Sequence, residues 1–315
     1  MFNFRSSRVT KTRPAVKAGS GIYTDLSSLL HLRHAARDLK LFSRQPTSSM
    51  LFGEARSRFR GRGMEFEEVR RYQPGDDIRT IDWRVSARTG KTHTKLFCEE
   101  RERPVHILVD QRSTMFFGST TKFKSVVAAE LAATIAWAAL AGSDRIGGQI
   151  IGDQGESDTR ARRNKQAVLK FIHDLEHRNR ALPTNDQPTK QLTDYLEECR
   201  RVTRPGTAVF IISDFSDFDA DSERALIALG KHTDVTMLRV YDAIERQLPK
   251  RSSLAISNGS RITSVNLDSK MRSAYAQRLS AKDELLKRAT RRAKAVMMDI
   301  DTLQAPLSFL QQRYT

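Results

Sequence analysis

The sequence predicts an α/β fold with a doubly wound, mostly parallel sheet. Three apolar segments are each followed directly by an aspartate, namely Asp110, Asp214 and Asp242. Continuous apolar segments bounded by polar residues are typical of strands that are buried on both faces. The first segment precedes a long alanine-rich helix over 125–142, and strands then alternate with helices along 105–315, as in consecutive βαβ units.

The elements before residue 105 are fewer and shorter. An amphipathic helix is predicted over 25–42, because its leucines recur at helical spacing after a capping residue. Short strands are predicted over 65–70 and 93–97, in a stretch that is dense in charged side chains. The predicted regions are a basic N-terminal arm with one helix (1–45), a charged segment (46–104) and the α/β domain (105–315).

The α/β domain continues with regular alternation and one insertion. Asn258-Gly259 favours a type I′ turn, so residues 253–266 are predicted to form an inserted β-hairpin. The other elements follow from apolar periodicity and helix-capping residues. The remaining strands are predicted over 145–151, 206–213, 234–241 and 296–302, and the remaining helices over 164–180, 188–202, 221–231, 268–295 and 306–313.

The formal net charge of +17 is concentrated at the two ends of the chain. Residues 1–45 carry nine Lys and Arg against two acids, and residues 246–315 carry fourteen against five. Residues 46–245 are nearly neutral, at thirty-one against thirty. Basic ends can bind nucleic acid or an anionic surface without sequence specificity, and a solvated basic face is the alternative interpretation.

Cysteine content and the N-terminal sequence predict a cytoplasmic protein. Cys98 and Cys199 are isolated, and they lack the spacing of a disulfide framework or a thiolate metal site. Residues 1–21 lack the apolar core of a signal peptide. The apolar helix over 125–142 contains Glu130, which favours packing against a sheet over crossing a membrane.

The charged segment predicts a network of ion pairs. Its basic and acidic residues alternate in sign, which favours arginine forks paired with carboxylates over an open basic patch. The arginines are Arg62, Arg70, Arg71, Arg79, Arg84 and Arg88, and the acids are Glu65, Glu67, Asp76, Asp77 and Asp82.

An ordered series of motifs resembles the signature of the domain-of-unknown-function family 58. The matching motifs are Gly61–Phe66, Val69-Arg70, Tyr72–Asp77, Arg79–Arg84, Ser86–Arg88, Lys95–Phe97, Glu99-Glu100 and Asp110. The resemblance implies a von Willebrand factor A-like domain. It also implies an adaptor or chaperone-like partner of a MoxR-type AAA+ ATPase, because members are commonly encoded beside such an ATPase.

The strand-terminal aspartates predict a binding site at one edge of the sheet. The carboxyl ends of parallel strands share an edge, and ligands of open α/β folds bind there. Carboxylates and hydroxyls suit Mg²⁺, a cation that takes oxygen ligands. The resemblance implies a metal-ion-dependent adhesion site with the pattern Asp-x-Ser-x-Ser. The candidate metal ligands are Asp110, Ser113, Thr114, Asp214 and Thr189, with Thr184 as an alternative to Thr189.

The sequence departs from that metal pattern at Arg112. Arg112 stands where the first serine would be, and Thr114 replaces the second. A guanidinium one turn from Asp110 could lie between Asp110 and Asp214 and neutralise both without a metal. The sequence therefore leaves two alternatives open, a bound Mg²⁺ or no cofactor with Arg112 in its place.

The motifs of three enzyme classes are missing from the sequence. There is no GxSxG nucleophile elbow and no P-loop, and Arg112 takes the position of the general acid of haloacid dehalogenase-type phosphotransferases. We therefore predict a non-enzymatic protein-interaction module. The alternatives are binding of nucleic acid or anionic surfaces through the basic ends, and a Mg²⁺-dependent phosphohydrolase. The candidate partner-binding residues are Arg112, Asp217, Arg62, Arg84 and Arg88.

Overall fold

The computed structural model describes residues 21–42, 64–99, 103–153, 155–181, 190–250, 253–257 and 262–314. These residues fall into two compact units. The small unit is drawn from 42–103, and the larger unit from 1–41 together with 104–315. Most of the predicted basic arm, the hairpin turn at Asn258-Gly259, and the predicted site residues Arg62 and Thr189 lie outside the described residues.

The helices and strands follow the predicted order, with additional short elements. In chain order they are α1 (Leu26–Ala35), β1 (Met64–Arg71), α2 (Trp83–Thr89), β2 (His93–Glu99), β3 (Pro104–Asp110), α3 (Lys124–Ala141), β4 (Arg145–Gly152), β5 (Gly155–Arg162), α4 (Lys165–Arg180), α5 (Leu192–Val202), β6 (Ala208–Ser213), α6 (Ala220–Gly230), β7 (Asp234–Tyr241), α7 (Ala243–Arg246), β8 (Ser253–Ser257), β9 (Ile262–Asn266), α8 (Ser269–Ala293), β10 (Val296–Asp301) and α9 (Pro306–Tyr314).

The larger unit contains a six-stranded sheet in the order β10-β7-β6-β3-β4-β5. All neighbouring strands pair in parallel except β4 and β5, which pair antiparallel. The chain therefore winds outward in both directions from β3, and the strand order reverses between β3 and β6. The predicted α/β fold with a doubly wound, mostly parallel sheet is confirmed.

The antiparallel edge strand β5 was not predicted from the sequence. Its eight residues, GESDTRAR, are mostly exposed or half-buried, and Thr159 is the only buried residue among them. An edge strand of this kind needs no apolar segment, because much of its surface faces solvent. The hydrophobic pattern therefore gives no sign of it.

Helix α3 lies against one face of the sheet and is covered in turn by other helices. It contacts β3, β4, β6 and β7, and also α1, α4 and α9. Of its 18 residues 15 are buried, and Trp137 Nε1 donates a hydrogen bond to the carbonyl of Leu29 on α1 at 3.0 Å. Among the described helices only α3 is long and apolar enough to cross a membrane, and packing on all sides accounts for that composition.

The opposite face of the sheet packs against α5, α6 and α8. Leucines from the three helices enclose side chains from β6 and β7, which include Val209 and Met237. Helix α5 begins at Leu192, later than the predicted start at residue 188. The two layers hold the carboxyl ends of β3, β6 and β7 side by side.

The predicted hairpin and the small unit each contain one antiparallel strand pair. In the larger unit β8 pairs with β9 from Ser253↔Asn266 to Ser257↔Ile262. In the small unit β1 pairs with β2, with an irregularity between Phe66 and Glu68. Helix α2 lies between β1 and β2 in the sequence and was not predicted, since its seven residues are too few to show helical periodicity.

Gly148 on β4 provides a test of the packing between the sheet and α4. A Cβ at Gly148 would lie 2.5 Å from the carbonyl oxygen of Ile107 and 2.7 Å from the Phe171 ring. We expect Gly148→Ala to lower the free energy of unfolding by about 1–3 kcal/mol, measured by urea denaturation, because neither neighbour can move freely. In Gly152→Ala, the control, the new Cβ meets no atom closer than 3.5 Å. Equal stability of both variants would contradict this packing.

The burial of His106 on β3 should make the fold less stable in mild acid. Its Nε2 atom is buried and has no hydrogen-bond partner among the described residues, and desolvation lowers its pKa from 6.5 to about 4. Between pH 6.5 and 4 the unfolded chain therefore binds a proton that the folded chain does not. We expect the free energy of unfolding to decrease as the pH is lowered across this interval. The decrease should be smaller in His106→Phe. An unchanged pH profile in that variant would exclude His106 as the cause.

Candidate functional site

The aspartates at the carboxyl ends of β3, β6 and β7 lie at one edge of the sheet. Val109 pairs with Ile212 across β3 and β6, so Asp110 is level with Ser213 and close to the start of the loop that carries Asp214. Asp242 follows β7, the next strand along. The structure brings these three residues to the edge predicted from the sequence, but it gives each a different set of partners.

Arg112 joins Asp110 to Asp217. Its Nε and Nη2 donate to the two carboxylate oxygens of Asp110 at 3.0 and 2.8 Å, and its backbone N–H donates to the same carboxylate at 3.0 Å. Its Nη1 and Nη2 donate to Asp217 at 2.5 and 3.0 Å. The side chains of Arg112 and Asp110 are only 4% and 1% exposed, so this guanidinium is a buried cation held by two carboxylates.

Further hydrogen bonds complete this ion-pair cluster. Ser213 Oγ donates to Asp110 at 2.7 Å, and the backbone N–H of Leu192, the first residue of α5, donates to Asp217 at 3.0 Å. Burial alone would lower the pKa of Arg112, but the charges and hydrogen bonds of both aspartates outweigh it and raise that pKa. Burial alone would raise the pKa of Asp217, and its hydrogen bond and charge interaction with Arg112 lower it instead.

Lys124 neutralises Asp214 in a second buried cluster. Its Nζ donates to Asp214 at 2.8 Å and to Glu245 on α7 at 2.7 Å, and its side chain is 2% exposed. Burial alone would raise the pKa of Asp214, but the nearby ammonium lowers it. Sequence reasoning missed Lys124. The available signal was a charged residue at the start of an otherwise apolar helix, where the helix dipole disfavours a cation.

Asp242 has a structural role at the same edge. Its buried carboxylate accepts hydrogen bonds from Ser119 N and Oγ at 2.8 and 2.5 Å, and from Ile244 N and Thr302 Oγ at 3.0 Å each. These four donors connect the loop before α3, the start of α7 and the residue after β10. They also lower the pKa of Asp242 despite its burial.

Ser113 and Thr114 lie in an exposed 3-10 turn after Arg112. The backbone N–H of Ser113 donates to Asp153, the residue after β4, at 2.9 Å. The Ser113 hydroxyl is 3.5 Å from the same carboxylate. Burial raises the pKa of Asp153 despite this donor. Both residues therefore sit at the surface of the edge, and Ser113 is oriented by Asp153.

The residues at this edge do not fit a Mg²⁺ ion. Asp110 and Asp214 each already accept hydrogen bonds from a buried side-chain cation, so a divalent ion would face Arg112 or Lys124 at close range. Within the described ranges no cluster of three or more His, Cys, Asp or Glu could hold a metal. The expected position of Arg112 is corrected as well, because its second carboxylate is Asp217 and not Asp214.

The charged segment does not form the predicted ion-pair network in its described part. Arg70 pairs with Asp76 at 2.7 Å, as expected. Asp82 pairs with Lys95 at 3.4 Å, and Asp77 and Asp82 also accept hydrogen bonds from backbone N–H groups at the starts of the 78–80 turn and of α2. Of the arginines predicted to form this network, only Arg70 pairs with one of these aspartates among the described residues. The candidate partner-binding residues Arg84 and Arg88 lie exposed on α2.

Replacement of Arg112 tests how much the buried cation stabilises the fold. We expect Arg112→Met to lower the free energy of unfolding by about 3–5 kcal/mol, because it leaves Asp110 charged, buried and unpaired. Adding Asp110→Asn should recover part of the loss, since the buried charge is then removed. The control is Arg201→Met, which breaks an exposed pair with Glu197 and should cost less than about 1 kcal/mol. Equal losses at the two arginines, measured by urea denaturation, would contradict this role.

The chain is similar to uncharacterized proteins of mycobacteria. It is 26% identical over 274 residues to one from Mycobacterium bovis and to one from Mycobacterium tuberculosis. Each alignment covers 86% of this chain and 85% of the relative.

Solved structures with some similarity to the chain include BatB from Bacteroides thetaiotaomicron, with 14% identity and a TM-score of 0.41 over 67% of this chain and 96% of that one. An aerotolerance-related membrane protein from Bacteroides fragilis has 12% identity and the same TM-score and coverage. A von Willebrand factor type A protein from Catenulispora acidiphila has 12% identity and a TM-score of 0.37, over 70% of this chain and 42% of that one.

The predicted cytoplasmic location is corrected by these comparisons. One of the similar structures is described as a membrane protein, which contradicts a cytoplasmic assignment. No location is assigned to this chain in its place.

A family model matches residues 68–299, which is most of the chain and includes β3, β6, the Arg112 cluster and the Lys124 cluster. The family is described as protein of unknown function DUF58. Because the match covers well over half of the sequence, the chain belongs to the DUF58 family.

Proposed function

We propose that this chain is a non-enzymatic, metal-independent protein-interaction module. The observation that carries the proposal is the buried guanidinium of Arg112 between Asp110 and Asp217. A carboxylate that is already paired with an internal cation is a poor general base and a poor metal ligand. Membership of the DUF58 family and the von Willebrand factor A-like fold support an interaction role for the same edge.

The binding surface that we propose is the exposed part of this edge. Ser113, Thr114 and Ser216 are exposed there, and Asp217 is 29% exposed beside them. The loops that carry these residues are held in place by hydrogen bonds from Arg112 to Asp217 and from the Ser113 backbone to Asp153. A surface that is rigid before binding loses little conformational entropy when a partner docks.

A MoxR-type AAA+ ATPase is the partner that we propose, on the basis of the family resemblance. In a metal-dependent adhesion site a bound cation accepts a carboxylate from the partner. In this chain, Arg112 and Lys124 supply the positive charge, and each forms an ion pair with a buried aspartate of the same chain. Contact with the ATPase would therefore depend on hydroxyls and the shape of the edge, without a bridging metal.

Magnesium titration followed by calorimetry tests metal independence. We expect no binding heat with the wild type, and weak saturable binding with Arg112→Ser, because this change restores an Asp-x-Ser-x-Thr sequence next to two unpaired carboxylates. Lys122→Ser is the matched control, since it removes a cation that pairs with Glu130 and not with Asp110 or Asp217. Stoichiometric Mg²⁺ binding by the wild type would contradict the proposal.

A binding assay with a MoxR-type ATPase from the same organism tests the surface. We expect Thr114→Arg and Ser216→Arg to weaken binding by roughly tenfold or more, because a long charged side chain blocks the edge without touching the buried clusters. Val202→Arg places the same side chain on an exposed residue at the other end of α5, and should bind like the wild type. Unchanged binding by both edge variants would exclude this surface.

A further inference from the structure

The small unit exposes two large apolar side chains among arginines. Trp83, the first residue of α2, is 69% exposed, and Ile78, the first residue of the preceding 3-10 turn, is 66% exposed. Single exposed apolar residues are common on protein surfaces. Two large apolar side chains exposed within six consecutive residues are less common, and burying a tryptophan is among the largest gains that a binding partner can obtain.

The arginines around Trp83 have no carboxylate partner among the described residues. Arg79, Arg84 and Arg88 are all exposed, and the ion pairs in the described part of the small unit join Arg70 to Asp76 and Lys95 to Asp82. Arg84 and Arg88 are four residues apart on α2, so they lie on the same side of the helix. Within the described part of the chain, their guanidinium groups are thus exposed and not held by a carboxylate.

The nearby aspartates are used to shape the backbone. Asp76 accepts from Arg70 and from the backbone of Gln73, at 2.7 and 2.9 Å. Asp77 accepts from the backbone N–H of Arg79, and Asp82 caps α2 through two backbone N–H groups. The three aspartates thus accept hydrogen bonds from nearby backbone N–H groups, although Asp77 remains exposed.

We propose that the surface formed by Ile78, Arg79, Trp83, Arg84 and Arg88 binds a short acidic segment of a partner protein that carries a large apolar side chain. Its carboxylates would pair with the guanidinium forks, which bind carboxylates through two parallel hydrogen bonds. Its apolar side chain would cover Trp83 and Ile78. Tryptophan and arginine are the residue types that most often dominate protein–protein binding energy.

Nucleic acid fits the same surface less well. An isoleucine offers no flat face for a base to stack on, and Asp77 is exposed beside the arginines, where it would repel a continuous phosphate backbone. Carboxylates spaced along a peptide can avoid Asp77. The inference rests on the proposed interaction role, but its residues all lie in the small unit and none belongs to the Asp110 edge.

The test begins with selection of random short peptides displayed on phage against the full chain, with counter-selection against Trp83→Ala. We expect the enriched peptides to be acidic and to share one large apolar residue. Enrichment of neutral or basic peptides, the same enrichment on Trp83→Ala, or no enrichment would overturn the proposal.

Fluorescence then measures binding of the selected peptide directly. The chain has two tryptophans, and Trp137 is 2% exposed, so a blue shift on binding reports the environment of Trp83. We expect Arg84→Glu and Arg88→Glu to raise the Kd roughly tenfold each, with unchanged circular dichroism. Arg278→Glu, the control, reverses an exposed arginine on α8 and should leave the Kd unchanged. Equal effects of all three reversals would indicate nonspecific charge attraction and would overturn the site.

Two further arms of the assay separate the alternatives. A single-stranded oligonucleotide that binds more tightly than the peptide would identify a nucleic-acid surface instead. Thr114→Arg, which blocks the Asp110 edge, should leave peptide binding unchanged. Peptide binding can therefore succeed where the proposed ATPase contact fails, and the two proposals are tested separately.

Discussion

The edge of the sheet depends on the placement of one guanidinium group between two carboxylates. Desolvating an ion pair costs several kcal/mol per ion, and the attraction repays that cost only when the remaining hydrogen-bonding groups are satisfied. Arg112 meets this condition. Its side-chain donors reach Asp110 and Asp217, and those carboxylates also accept from Ser213 and from the first N–H of α5. The loops after β3 and β6 and the start of α5 are thereby held in a single arrangement.

Further clusters of ion pairs lie along the sheet toward β10. Lys124 lies between Asp214 and Glu245. Further along, Arg239 and Arg246 share the carboxylates of Asp283 and Asp299, in a network that joins β7, α7, α8 and β10. The two arginines of this network balance its two carboxylates, whereas Arg112 and Lys124 are each a single cation shared by two carboxylates. Internal cations therefore neutralise only part of the negative charge at the edge.

The hydrophobic pattern of the sequence predicted the strands of the sheet well. It did not predict which cations pair with the aspartates at the edge. A buried strand leaves a local signature, so Asp110, Asp214 and Asp242 were correctly expected at one edge. An ion pair between distant residues leaves no such signature. Lys124 and Asp214 are ninety residues apart, and only the packing of α3 against β6 brings them together. The edge strand β5 was missed for a related reason, because its exposed residues carry no apolar period.

The alternating charges of the segment around α2 were misread for a different physical reason. Alternation along a chain indicates ion pairs only if the carboxylates are free to reach a side chain. An aspartate just before a helix is held by the helix's own unpaired N–H groups, and Asp82 is used in this way at α2. The neighbouring arginines then remain in solvent. At the edge of the sheet the buried carboxylates of Asp110 and Asp214 are each stabilised by a buried cation, Arg112 or Lys124. The same residue types therefore stabilise the fold at the edge of the sheet, whereas the arginines around α2 are exposed and meet no carboxylate among the described residues.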